Sequence, residues 1–267
     1  MKKLILALIF LSVNVLAGDV SSYLSGKYQS ADKVKENLKA EGFSVVGEYD
    51  SMGESAFHVI VFTNPAMKKA ASEESRGFAG VQKVLLDEKT QTLVFTNPEY
   101  FLHAYLQKDY DEAMGQKITA SLQKAFGKME GSQCSLDDDD IAGYHYMFGL
   151  PYYDDMVEIA EGKDLGKILE AKAKDSIVFK LELDNSTIYG ISMNSPEGEK
   201  SFVPAIDAQD HASFLPYMVM IEDNKAKILH GKYALSIANP SLSMGQFMKI
   251  ASTPGDIEDY MKELVTK

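Results

Sequence analysis

Cysteine is almost missing from this chain, because Cys134 is the only one among 267 residues. A single cysteine cannot close an internal disulfide, so the fold has to be stabilised by its apolar core even in an oxidising compartment. A dithiol redox pair is excluded for the same reason, and the chain contains no CxxCH motif for covalent haem attachment.

Arginine is equally scarce, since Arg76 is the only one and the other basic residues are lysines. Bidentate recognition of a carboxylate or phosphate depends on a guanidinium fork, so this chain offers it at one position only. Acidic residues outnumber basic ones and give a formal net charge of −12. A surface of that sign repels nucleic acids and anionic lipid headgroups, and neither is expected as a partner.

Short catalytic motifs are absent as well. The sequence has no GxSxG nucleophile elbow, no HExxH zinc motif, no P-loop and no GxGxxG dinucleotide motif. No catalytic residue is therefore predicted, and a non-catalytic binding protein is the favoured interpretation. A hydrolase whose site is assembled from distant residues is an alternative, because such a site leaves no local pattern.

The longest apolar run lies in residues 1–17. Lys2 and Lys3 precede Leu4 to Leu11, and Val15-Leu16-Ala17 fits a cleavage site. This arrangement is typical of a secretory signal peptide cleaved after Ala17, and the run is too short to span a bilayer. The sequence thus predicts export to the periplasm, with no transmembrane segment after cleavage and a formal charge of −14 once Lys2 and Lys3 are removed.

Hydrophobic periodicity predicts an α+β fold of two related units, each an antiparallel sheet flanked by helices. The predicted divisions are a signal peptide (1–17), a first unit (18–131), an acidic, Tyr-rich linker (132–163) and a second unit (164–267). Residues 18–30 and 197–213 show no clean period and are predicted to be irregular. Strands are predicted at Phe43–Glu48, Phe57–Phe62, Val84–Leu86, Leu93–Phe95, Ile177–Leu183, Thr187–Met193, Tyr217–Ile221 and Tyr233–Ile237.

Asparagine followed by proline recurs where predicted strands end. The pair occurs at Asn64, Asn97 and Asn239, and Asn194-Ser195-Pro196 is a variant of it. Proline suits the first turn of a helix and the preceding asparagine can cap it, so Asn64, Asn97 and Asn239 are predicted helix starts. The recurrence in both halves favours an internal duplication.

Several of these segments resemble the domain-of-unknown-function 302 (DUF302) family. Glu41 to Val45 (EGFSV) is similar to the family's Gly-Phe-x-Val opening, and Thr63-Asn64-Pro65 stands where the family has Cys-Asn-Pro. Leu215-Pro216-Tyr217 stands where it has Leu-Pro-Cys. The resemblance covers residues 31–126 and, less fully, 164–265.

This resemblance implies tandem α+β units with antiparallel sheets, and it implies no established activity. Thr63, Met193 and Tyr217 stand at places where the family pattern often has cysteine. Thiol or metal chemistry of other members is therefore not implied for this chain.

Seven residues are candidates for a ligand site between the units. They are turn asparagines, the single arginine and tyrosines, namely Asn64, Arg76, Asn97, Tyr144, Tyr146, Tyr217 and Asn239. Arg76 could hold an anionic group, or it could pair with the neighbouring Glu73 or Glu74. Aromatic residues crowd positions 144–153, and such a cluster builds either an apolar pocket or a plain interface between domains.

Metal binding is a second alternative. His145 and Met147 occupy alternate positions, and imidazole with thioether suits Cu(I). Methionines pack cores far more commonly, so no cofactor is predicted and copper or haem handling is kept as an alternative. Asp137 to Asp140 lacks the ligand spacing of a calcium loop and is interpreted as a solvated charge run. These features together favour an exported module that binds a small molecule or a periplasmic protein.

Overall fold

The computed structural model describes residues 18–266, so the predicted signal peptide lies outside the described residues. The strands are β1 (Asp19–Ser21), β2 (Tyr23–Lys27), β3 (Ser44–Asp50), β4 (Phe57–Thr63), β5 (Gln82–Asp87), β6 (Thr92–Thr96), β7 (Glu130–Gly131), β8 (Ser135–Asp137), β9 (Val157–Glu161), β10 (Ile177–Glu182), β11 (Ser186–Ile191), β12 (Tyr217–Glu222) and β13 (Lys225–Ile228). The α-helices are α1 (Ala31–Ala40), α2 (Pro65–Ala71), α3 (Pro98–Leu106), α4 (Glu112–Phe126), α5 (Asp138–Ile141), α6 (Leu165–Lys172), α7 (Glu199–Ala205), α8 (Gly231–Ala238), α9 (Met244–Lys249) and α10 (Thr253–Val265). The α+β prediction is confirmed. No helix within residues 18–266 is long and apolar enough to cross a membrane.

Two large antiparallel sheets organise the chain. The six-stranded sheet has the order β3-β4-β5-β6-β2-β7, and the five-stranded sheet has the order β10-β11-β12-β13-β9. Apart from the two-residue β7, both sheets join their strands in the same order. We call residues 23–126 the first unit and residues 157–265 the second unit. Strands β1 and β8 form a separate pair that ties the start of the described chain to the segment between the units.

The inner strands β4, β5 and β6 of the first unit are mostly apolar because both faces of the sheet are buried there, whereas the edge strand β3 is partly exposed. In β4, Ile60 and Phe62 lie in a core formed with the helices of the same unit. The intervening Val59 and Val61 belong to a second core, which also contains residues of the second sheet. We call the contact region between the two units the seam.

Each unit places a short 3-10 helix on the sheet of the other unit. The turn at Gly77–Gly80 packs on β11 and β12, and the turn at Gln209–Phe214 packs on β5 and β6. A Cβ atom at Gly77 would lie 2.4 Å from Cδ1 of Ile188 and 2.9 Å from Sδ of Met220. Glycine at this position therefore allows the turn to approach the opposite sheet.

Two buried tyrosines make reciprocal hydrogen bonds across the seam. Tyr100, the third residue of α3, donates to the carbonyl oxygen of Ile237 at 2.8 Å. Tyr233, the third residue of α8, donates to the carbonyl oxygen of Ala104 at 3.3 Å. Each acceptor is the seventh residue of its helix, so the two helices contact each other through equivalent positions, as in a local two-fold arrangement.

The edge strands β3 and β10 meet at Gly47. A Cβ atom there would lie 2.3 Å from the carbonyl oxygen of Val178 and 2.8 Å from Cβ of Phe179. Such distances are well inside van der Waals contact and the nearest atom is backbone, so a side chain at position 47 would force the two strands apart.

Four predictions about the second half and the lead-in are wrong. Tyr233–Ile237 is not a strand, because its residues lie in helix α8. The partner of β12 is instead β13, which follows a tight turn at Asp223 and Asn224, both with positive φ. Ala226 and Ile228 alternate with Lys225 and Lys227, but four residues are too few for this pattern to predict a strand.

Residues 18–30 contain β1 and β2 rather than an irregular lead-in, and β2 lies between β6 and β7. Asn239 ends α8 instead of starting a helix; the next helix begins at Met244, after a capping box formed by Ser243 and Gln246. Strand β9 of the second sheet lies inside residues 132–163, and helix α7 lies inside residues 197–213.

The reciprocal tyrosines can be tested by removing each hydroxyl. We expect Tyr100→Phe and Tyr233→Phe each to lower the free energy of unfolding by about 1–2 kcal/mol, because a buried hydrogen bond to a carbonyl is lost. Urea unfolding of each variant measures this. Tyr152→Phe is the control, since Tyr152 is half exposed, and it should change stability by less than about 0.5 kcal/mol. Equal stability of all three variants would contradict the role given to the two tyrosines.

The close approach of β3 and β10 predicts that Gly47→Ala is destabilising by at least about 2 kcal/mol, because the new methyl group would overlap a backbone carbonyl. Gly143→Ala is the matched control, because no atom lies within 4 Å of the added Cβ. Thermal unfolding of both variants makes the comparison. A Gly47→Ala protein as stable as the control would show that the strands are free to separate.

Candidate functional site

A groove crosses the seam beside the first turn of α7. Met52 and Gly53 of the first unit form one side, and residues between Met193 and Ser201 of the second unit form the other. Its volume is about 600 Å³, within the usual range for small-molecule sites. The lining combines apolar Met52 and Met193 with polar Asn194 and Ser201, and Lys200 contributes an ammonium group.

The buried carboxyl of Glu199 fixes the two sides of this groove to each other. Its Oε2 accepts hydrogen bonds from the hydroxyls of Tyr49 and Ser51 and from the amide of Met52, at 3.1 to 3.2 Å. Its Oε1 accepts from the amide of Met193 at 3.1 Å. Burial raises the pKa of Glu199, and these hydrogen bonds act in the opposite direction. One side chain of the second unit thus orders a turn of the first.

A second buried ionisable group lies further inside the seam. Lys83 is on β5 of the first unit, is 4% exposed, and donates to the carbonyl oxygens of Phe214 at 2.6 Å and Pro216 at 3.2 Å in the second unit. An uncharged amine has two N–H groups and an ammonium has three. No third acceptor for Nζ is present within residues 18–266. The site therefore matches the neutral amine.

The pKa of Lys83 agrees with the presence of only two hydrogen-bond acceptors among the described residues. Burial lowers the pKa of Lys83 from 10.5 to about 7, although the nearby carboxyl of Glu199 acts in the opposite direction. Strongly shifted pKa values are concentrated at functional sites, and they also occur in structural networks. Position 83 is the second residue of β5, and the second residue of β12 is Met218, which carries no charge.

Two narrow cavities lie in this part of the seam, and Lys83 lines one of them. One of about 10 Å³ is lined by Lys83, Thr96 and other seam residues, and one of about 20 Å³ is lined by Tyr217 and residues of α8. Tyr105, Phe214 and Met218 line both cavities. Each has room for about one water molecule.

The structure distributes the predicted ligand residues over separate places. Asn64 and Asn97 are helix N-caps, as predicted: their side chains accept hydrogen bonds from the amides of Met67 and Glu99. The buried side chain of Asn239 binds the carbonyl of Leu235 and contacts His211.

The predicted tyrosines contact the second unit. Tyr144 and Tyr146 donate to the carbonyl oxygens of Ser236 and Leu242. Tyr217 donates to the carbonyl of Leu229 and lines the cavity of about 20 Å³. Of the seven predicted residues, Tyr217 is the one that lines a described cavity.

Arg76 does not form its ion pairs with Glu73 or Glu74, the carboxylates expected from their proximity in sequence. Its Nε lies 3.1 Å from Oδ2 of Asp109, and its Nη1 lies 3.4 Å from Oδ1 of Asp154. The guanidinium also lies over the ring of Tyr153, 5.3 Å from the centroid. The pairing with Glu73 or Glu74 is therefore wrong, because the fold brings distant acidic residues closer. Arg76 connects the first unit to the segment that precedes β9.

The residues of the metal alternative are not assembled into a donor cluster. The ring of His145 packs on Tyr152 with centroids 4.4 Å apart, and Met147 is exposed. No group of three or more His, Cys, Asp or Glu side chains that could hold a metal ion occurs in the described part of the chain. The histidines that contact a carboxylate, at 58, 103 and 211, make no hydrogen bond to a hydroxyl among residues 18–266.

Lys83 and Glu199 were missed by sequence analysis. Lys83 stands in VQKVLLD, and a lysine inside a strand with two buried faces is a detectable anomaly once both faces are known to be covered. Glu199 lies in a polar, proline-containing segment and gives no such signal. Comparison of the chain with protein-family models, with curated proteins and with solved structures found no match.

The neutral state of Lys83 predicts a defined pH dependence. Because its pKa is about 7 in the folded protein and 10.5 when unfolded, the unfolded state binds more protons between these pH values. Stability therefore rises with pH across this window and is independent of Lys83 below it. Relative to Lys83→Met, we expect the wild type to gain about 2–3 kcal/mol of unfolding free energy between pH 7 and pH 9.

Urea unfolding at the two pH values measures this gain. Subtracting the variant removes the contribution of Glu199 and the other groups that both proteins share. Lys128→Met, at an exposed position, is the control and should keep the wild-type pH dependence. Parallel curves for wild type and Lys83→Met would mean that Lys83 is charged in the folded state.

Proposed function

We propose that this protein is an exported, non-catalytic module that binds a small molecule in the groove across the seam. The observation that carries the proposal is the groove of about 600 Å³ between Met52 and Ser201, whose two sides belong to different units. Concave sites between domains with mixed lining are common ligand sites. Cleavage after Ala17 and location in the periplasm are part of the same proposal and rest on the sequence pattern.

The lining favours a particular class of ligand. Met52 and Met193 lie on opposite sides but are almost fully buried, so they offer a small apolar surface, while Asn194 and Ser201 offer hydrogen-bonding groups and Lys200 offers a positive charge. A small molecule with an apolar part and a carboxylate or another hydrogen-bond acceptor matches the apolar, polar and positively charged parts of this lining. The carboxyl of Glu199 is already saturated by four donors, so its role is to hold the groove in shape.

We further propose that the two units are divergent copies of one DUF302-like unit. The equal strand order of the sheets, the exchanged 3-10 helices and the reciprocal bonds of Tyr100 and Tyr233 support a duplication. The family assignment is supported by the sequence resemblance alone. In this view the groove arises at the contact between copies and has no counterpart within either unit.

A protein partner is a second candidate, favoured by one observation. Phe148 is fully exposed at the tip of the segment between the units, next to the partly exposed Met147. Tyr146 stacks on Phe247, with centroids 5.0 Å apart, which brings the exposed methionines of α9 close to this tip. Exposed apolar patches of this kind mark contact surfaces in many proteins.

Filling the groove tests the first proposal. We expect native mass spectra of residues 18–267 purified from the periplasm to show excess mass that is lost on denaturation. Ser201→Phe should remove this excess, or weaken binding of the released compound at least tenfold, because the new ring occupies the groove.

Gln123→Phe, on the exposed face of α4, is the matched control and should retain the excess mass. Both variants should unfold at a temperature close to that of the wild type, which separates loss of binding from loss of folding. Absence of excess mass in the wild type, or full binding by Ser201→Phe, would refute a ligand in the groove. Cross-linking in cells at Phe148 would then test the protein partner.

A further inference from the structure

Lys83, whose pKa is lowered to about 7 by burial, and Tyr105 line the same inner cavity. Lys83 and Tyr105 both line the cavity of about 10 Å³, and Tyr105 also lines the neighbouring cavity of about 20 Å³. The hydroxyl of Tyr105 makes no hydrogen bond to any residue between 18 and 266. Burial raises its pKa, so the phenol stays protonated and is available as a hydrogen-bond donor.

The lowered pKa of Lys83 gives a substantial fraction of neutral, nucleophilic amine near pH 7. Its two N–H groups are directed to the carbonyls of Phe214 and Pro216, which leaves the nitrogen lone pair as its remaining valence. Desolvated lysines in apolar pockets are the ones that form Schiff bases in proteins. The rest of the lining is mixed, with apolar residues such as Phe101 and Met218 beside the polar Gln82 and Thr96, and none of these residues carries a charge. Such a lining favours an uncharged reactant.

We propose that Lys83 is a covalent site at which a one-carbon aldehyde is bound as an imine. The nitrogen lone pair attacks the carbonyl carbon and forms the C–N bond, while the carbonyl oxygen becomes a hydroxyl by taking a proton from the nitrogen. Loss of this hydroxyl as water, with the second amine proton, gives the C=N bond. One amine and one aldehyde thus give one imine and one water, and no oxidant or reductant is needed.

Size and charge restrict the reactant. The two cavities have room for about one water molecule each, so only very small carbonyl compounds fit without large rearrangement. The unbranched side chain of Met218, which separates the cavities, can adapt to such a molecule. Carbon dioxide is disfavoured, because the carbamate would place a negative charge in an apolar cavity near Glu199.

Tyr105 is a positioning residue in this proposal. Its hydroxyl can donate a hydrogen bond to the aldehyde oxygen and support its departure as water. The site is separate from the groove at Ser201, so it goes beyond the proposed function and either one can fail alone.

Reductive trapping tests the proposal on the folded protein, residues 18–267. The protein is treated with ¹³C-formaldehyde and cyanoborohydride from pH 6 to pH 10, and peptide mapping follows methylation of each amine, including the chain's N-terminus. We expect labelling of Lys83 to level off above about pH 7, where its amine is neutral. Labelling of the exposed Lys128 should rise about tenfold per pH unit across the range.

Two variants test the role of Tyr105 and the independence of the site from the groove. Tyr105→Phe should slow labelling of Lys83 several-fold and leave its pH profile unchanged, whereas Ser201→Phe should have no effect on it. Labelling of Lys83 that is undetectable while Lys128 reacts, or that follows the pH profile of Lys128, would overturn the proposal. Loss of groove binding with intact Lys83 labelling would refute only the proposed function.

Discussion

The burial of one sheet face of each unit against the other unit is the constraint on which the rest of the structure depends. The inner residues of β4, such as Val59 and Val61, share a core with the second sheet and with residues of α3. Everything found at the seam follows from this arrangement: the exchanged 3-10 helices, the paired tyrosines of α3 and α8, and the close contact at Gly47. Separate units would expose an apolar sheet face to water, so the two halves are one cooperative structure.

The seam nevertheless contains buried ionisable residues, and Glu199 and Lys83 among them have different environments. The carboxyl of Glu199 receives four hydrogen bonds and orders a turn in the opposite unit. The amine of Lys83 contacts two carbonyls and adjoins unfilled space. A carboxyl that makes all its hydrogen bonds, such as that of Glu199, has a structural role. A buried amine that borders a cavity, such as that of Lys83, is a place where chemistry or ligand binding is physically favoured. The groove and the inner cavity are accordingly different sites on the same contact surface.

The sequence predicted the α+β class and most strands of both sheets, because long apolar runs such as FHVIVF and the Asn-Pro junctions are strong local signals. It failed at Tyr233–Ile237, where an apolar segment of five residues is compatible with a helix or a strand and only the pairing of β12 with Lys225–Ile228 decides. It also failed at Arg76, whose carboxylate partners are 33 and 78 positions away in the chain. The groove and the burial of Lys83 could not be predicted, since both arise only once the two units are packed together.

The segment of residues 127–156 covalently joins the two units, and this link lowers the stability that the seam needs to hold them together. Two free copies would have to find each other at the low concentrations of a cell, and their interface would have to offset the lost translational freedom. Because a short tether keeps the units together, each experiences the other at an effective concentration on the order of millimolar. Two covalently joined units can therefore retain a buried amine, a buried carboxyl and small cavities at their contact, although such features would weaken the association of two separate chains. The link between the units thus allows their contact surface to include groups that contribute nothing to association.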